Sequence, residues 1–245
     1  MITVILNVYK RPHTLEKQIE AIKAQTVPIP DENIWIWYNK SDVTQPPPKN
    51  SKHRTFRCNQ NTKFHGRFAA AMLAQTEYVA MFDDDVLPGK NWFKNCLNAY
   101  ESGVDWLLGG SGVLLSNTVA YNPNTKIGWN GIHNEDYTKV DLVGHAWFWR
   151  SEWTKYMWYE KPFSWENGED MMFSYQLQKY GMIDTYVPPH PENDKSMWSC
   201  DPTFGFKHGN DASASWLANQ EHNNERDQIV EACCDNGWKL VKFKS

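Results

Sequence analysis

At 245 residues the chain is long enough for a large domain with a substantial core, and 41% hydrophobic with 14% aromatic residues excludes intrinsic disorder. A formal net charge of −4 leaves no electrostatic footprint for nucleic acid. No apolar run reaches the roughly 18 residues of a membrane span, and no basic segment leads to a small-residue cleavage site, so the expectation is a cytoplasmic protein.

Ile2–Val8 is almost continuously apolar, as expected of a parallel strand buried on both faces. Tyr9-Lys10-Arg11-Pro12 breaks it. Leu15, Ile19 and Ile22 then recur at helical spacing, with Thr14 as the N-cap. Ile34–Trp37 predicts a second strand, and the polar stretch Ser41–Ser51, with Pro46-Pro47-Pro48, an extended polyproline-like loop. Thr55–Cys58 follows as a short strand, Phe64, Phe68 and Met72 mark a helix, Tyr78–Phe82 is another buried strand, and a helix starts near Trp92. This alternation predicts a parallel sheet with right-handed crossovers.

Beyond Leu108 the pattern changes. Gly109-Gly110-Ser111-Gly112 reads as a turn and fits neither phosphate-binding glycine pattern. Asn117–Asp136 reads as hairpins and loops, Val140–Trp149 as a strand, and Asp170–Tyr180 as a helix. Pro188–Asp211 is expected to be a long loop without secondary structure, a lid that orders when ligand binds. Asn224–Asn236 is a last helix, stopped by Gly237. The fold class is therefore α/β, a mostly parallel central sheet flanked by helices. A single domain spans 1–245, in two halves of different character, 1–115 and 116–245. The five cysteines have no metal-type spacing and read as reduced.

The chemistry concentrates at Asp83-Asp84-Asp85, directly behind the buried strand Tyr78–Phe82. Carboxylates there emerge where open α/β sheets place their ligands. In an extended backbone Asp83 and Asp85 leave on one face and can converge on one point. A divalent cation would keep such crowded acids ionised. Oxygen ligands favour Mn²⁺ or Mg²⁺, and the ion could carry the diphosphate of a nucleotide-sugar. The alternative is a turn whose acids cap the following helix. A second acidic pair, Glu169-Asp170, opens a helix, where it serves either as a general base or as charge complementing the helix dipole.

Four segments in this order resemble the GT-A glycosyltransferases, closest to family 2 and to the exostosin-like family 64. They are Val4–Arg11 with a helix running into Gln25, Asn59–Ala80, Asp83–Val86, and Trp165–Met172 (Trp-Glu-Asn-Gly-Glu-Asp-Met-Met). The resemblance covers about residues 1 to 185 and implies a GT-A fold, a UDP- or GDP-sugar donor, a carbohydrate acceptor, and metal-dependent glycosyl transfer. It implies Asp83 and Asp85 as metal ligands, Asp84 beside the donor, and a late histidine, His208 or else His190, as third ligand. Asp170 becomes the candidate base, with Glu169 as its neighbour or an acceptor-binding group. Tyr9 and Arg11 are candidates for the base and phosphate, Asn39 for the base or ribose, and Arg67 for the diphosphate. Arg226 is a weaker diphosphate candidate, and Trp147 and Trp165 either stack on sugars or pack in the core. Two rivals stay open: a nucleotidyltransferase acting on sugar phosphates, although Tyr9–Thr14 lacks the usual glycines, and a non-catalytic carbohydrate-binding protein.

Overall fold

The computed structural model describes residues 1–43, 51–212, 214, 217 and 221–243, so the proposed polyproline-like stretch at Pro46-Pro47-Pro48 lies outside the described residues. The first half alternates as its sequence dictates: β1 (Ile2–Val8), α1 (Leu15–Lys23), β2 (Ile34–Tyr38), β3 (Arg54–Arg57), α2 (Gly66–Ala71), β4 (Tyr78–Phe82) and α3 (Trp92–Glu101). β1 pairs in parallel with β2 on one side and β4 on the other, and β2 pairs in parallel with β3. Val8 lies beside Tyr38 and Leu6 beside Phe82, so the residues that follow these strands, Tyr9, Asn39 and Asp83, meet along one edge.

Local contacts set that edge. Thr14 does not cap α1; its hydroxyl donates to the Arg11 carbonyl at 2.7 Å and fixes the turn that carries Arg11. Gln18, buried on α1, donates to the carbonyls of Asp83 (2.7 Å) and Val86 (2.8 Å). A helix thus grips the aspartate turn from below.

The second half adds β5 (Trp106–Leu115), β6 (Asn124–Gly128), β7 (Thr138–Val140), β8 (Leu142–Arg150), α4 (Glu169–Gly181), β9 (Asp184–Val187), α5 (Pro202–Gly209) and α6 (His222–Asp235). The sheet order is β3-β2-β1-β4-β8-β5-β9-β7, with β6 paired to β5. β8 runs antiparallel to both β4 and β5.

Three sequence expectations need correction. Gly109-Gly110-Ser111-Gly112 is not a turn but the middle of β5. A Cβ on Gly110 would overlap Ser199, and one on Gly112 would overlap Val187 and Val140, so glycine here answers to close packing. The predicted strand Val140–Trp149 splits at Asp141, whose carboxylate accepts the amides of Leu115 (2.7 Å) and Val241 (2.6 Å). Pro188–Asp211 is not structureless. It contains a 3-10 turn at Lys195–Met197 and α5, and backbone bonds pin it to the chain after β4: Gly89 to Trp198 at 2.9 Å, Asn91 to Ser196 at 2.8 Å and Asp201 to Leu87 at 2.7 Å.

The core is aromatic. Phe68 of α2 meets Trp147 and Trp149 of β8 with ring centroids 6.0 Å apart, and Phe173 of α4 at 5.3 Å. Each such pair adds about 0.5–1.5 kcal/mol beyond its burial, and together they clamp α2 and α4 to the same strand.

Candidate functional site

The strand ends open into one cavity of about 950 Å³, lined by Asp83, Asp84 and Asp85 and by Glu169 and Asp170. Each aspartate has its own cation. Asp83 pairs with Arg67, Asp84 with Arg11 (2.5 Å), and Asp85 faces His145 at 3.2 Å. β4 has already ended at Phe82, and the three acids sit in a turn closed by the Val86 amide on the Asp83 carbonyl (3.3 Å). Asp83 and Asp85 therefore diverge to different partners, contrary to the extended geometry expected from sequence.

Burial pushes the Asp84 carboxyl up to about 6, against the pull of Arg11. Burial would also raise Asp85, but His145 and Arg11 outweigh it and hold Asp85 below its ordinary value. The same attraction overcomes burial at His145 and raises its pKa.

Glu169 and Asp170 open α4 behind Gly168, which takes the left-handed conformation (φ 82°) that glycine adopts without strain. Asp170 is held from α6: Arg226 Nη2 donates to its Oδ2 at 2.7 Å and Nη1 to Asn167 at 3.2 Å, with the guanidinium over the Tyr121 ring at 4.0 Å. Burial first, then Asp170 beside it, pushes Glu169 up to about 8.

The remaining candidates fall into two groups. Tyr9, Arg11 and Asn39 line the cavity. The Tyr9 hydroxyl accepts from Asn61 (3.0 Å), Arg11 bridges Asp84 to Asp211 (2.9 Å), and Asn39 holds the loop at Asn61–Lys63 through hydrogen bonds of 2.9–3.2 Å. Arg67, expected at the diphosphate, is instead an internal strut. It is buried over the Trp147 ring (4.8 Å) and joins Asp83 to Glu169, 3.2 Å away. Trp147 is likewise core, while Trp165 is exposed and packs edge-on against His65.

Neither expected histidine ligand is on the cavity wall. His208 packs against His13 (5.3 Å) and Phe204 (4.5 Å), and His190 stacks on Trp198 (4.5 Å). Among the described residues no three His, Cys, Asp or Glu side chains cluster tightly enough to hold a metal by themselves. The histidines that do line the cavity are His222 and His145, and the latter, beside Asp85, was passed over by sequence reasoning. Its only signal was a polar residue, after Gly144, inside an otherwise apolar strand.

The model of the family described as Glycosyl transferase family 2 matches residues 3–164. The chain belongs to glycosyl transferase family 2. A search of curated proteins finds no significant match. The matched stretch of this family 2 chain carries β1 to β8 with the aspartate turn, and it stops before Glu169 and Asp170. The central sheet, parallel across β3-β2-β1-β4 and flanked by helices, is the GT-A arrangement. No helix among the described residues is long and apolar enough to cross a membrane.

Proposed function

We propose that the chain transfers a sugar from a UDP- or GDP-linked donor to a carbohydrate acceptor with the help of Mn²⁺ or Mg²⁺. The observation that supports this most is that one cavity holds both acid groups, the aspartate turn after β4 and Glu169-Asp170 on α4, joined by Arg67. The whole chain acts as one domain in this reading, with residues 1–115 on the donor side and 116–245 on the acceptor side.

The residues fit a cation. Asp85 Oδ1 is buried without a hydrogen-bond partner, so it keeps a lone pair to offer, and Asp83 shares the same wall. Asp85 would hold the ion, and Asp83 would join it on release from Arg67. When bound it supplies Lewis-acid neutralisation of the departing diphosphate. Tyr9 and Asn39 border the space for base and ribose, and Arg11 places a guanidinium where phosphate charge would lie. Asp170 receives the proton of the attacking acceptor hydroxyl, while Arg226 and the Met171 amide (2.8 Å to Oδ1) orient it.

The test is a panel of UDP- and GDP-sugars incubated with Mn²⁺, reading nucleoside diphosphate release. Release from at least one donor, lost on chelation, is the expected result. No release from any donor would overturn the reading.

A further inference from the structure

We infer that His145, together with Asp85, ligates the divalent cation of this site. The inference rests on the nucleotide-sugar reading above and replaces the late histidine suggested by sequence.

The two atoms stand as neighbouring ligands of one ion would. His145 Nε2 is 3.2 Å from Asp85 Oδ1, yet Oδ1, although buried, has no hydrogen-bond partner. Adjacent ligands of an octahedral ion bound at about 2.1 Å are separated by about 3.0 Å. With the imidazole neutral both atoms offer a lone pair, and their spacing is that of an edge of such an octahedron.

The backbone is built to hold the ring there. Gly109 of β5 pairs with Trp147 and Ser111 with Gly144, so His145 and Ala146 of β8 together face Gly110 alone. This is a β-bulge, a device that re-aims a side chain. His145 takes φ 72°, the left-handed conformation that costs a non-glycine residue about 1–3 kcal/mol and persists only where the surroundings impose it. Trp129 supplies that constraint, stacked on the imidazole with centroids 4.2 Å apart. On the other side Gly209 keeps Asp85 clear: even a Cβ there would come within 3.1 Å of Oδ2.

One imidazole and one or two carboxylates leave the other positions to diphosphate oxygens and water, as is usual for such ions at phosphates. The ion would therefore load with the nucleotide.

The decisive measurement is pulsed electron paramagnetic resonance on the full chain with Mn²⁺ and UDP, using protein labelled with ¹⁵N-histidine. The expected spectrum shows ¹⁵N coupling to Mn²⁺. It disappears in His145→Asn, with Mn²⁺ affinity down at least about 10-fold, and persists in His208→Ala. Asparagine is chosen because it tolerates positive φ, and circular dichroism checks the fold. Bound Mn²⁺ without histidine coupling would overturn the His145 assignment and leave the donor reading standing. No Mn²⁺ binding with UDP or GDP, alongside sugar transfer, would overturn the assignment too. Neither binding nor transfer would remove both.

Discussion

Asp170 and Glu169 are neighbours in sequence, and each meets a different arginine. Arg226 pairs with the first, while the second is buried beside it, with Arg67 at 3.2 Å. Asp170→Asn should leave UDP affinity within about twofold and cut turnover by about 10²–10⁴, because only the transition state needs the base. Calorimetry with UDP and steady-state rates check both halves, and lost UDP binding would move Asp170 to the donor site. Glu169 carries a pH signature. Its folded pKa is raised to about 8, so the native state holds a proton that the unfolded chain releases in the ordinary carboxylate range. Stability present at low pH is therefore lost as pH rises toward about 8, by up to about 1.4 kcal/mol per pH unit. Glu169→Gln should flatten that slope in urea denaturation between pH 5 and 8; an unchanged slope would refute the assignment. At this scale the sequence showed the acids and hid their partners. Arg67 and Arg226 meet them from 102 and 56 positions away, and no local pattern encodes such distances.

Among elements, the strands and helices of the first half were legible because each carries its own periodicity: continuous apolar strands and helices with an apolar face. β5 was not. Its glycines respond to neighbours distant in sequence, Ser199 and Val187, and a local reading sees only turn formers. Gly110→Ala should destabilise the fold by about 1–3 kcal/mol through overpacking against Ser199. Chemical denaturation measures it, and a neutral result would mean that the Ser199 segment yields easily. That segment was also misread. Its four prolines and its polar composition suggested a loop, yet its backbone bonds to residues 87–91 make it part of the frame. Hydrogen exchange should find the amides of Gly89, Asn91 and Asp201 protected without any ligand. Protection that appears only with UDP and Mn²⁺ would restore the lid.

The whole molecule assembles its cavity from a stretch shared with family 2 and a stretch beyond the match, joined through one buried arginine. Arg67 holds both Asp83 and Glu169, so neither carboxylate can change charge or position without altering the other's partner. Thermodynamic linkage then demands reciprocity: whatever factor a bound nucleotide imposes on acceptor affinity, the acceptor imposes on the nucleotide. Titrating UDP with and without a saturating acceptor should show a several-fold shift in Kd, and the shift should shrink in Arg67→Gln. An enzyme wired in this way senses occupancy of one substrate from the far side of its own core, and its two specificities are free to vary only as a pair.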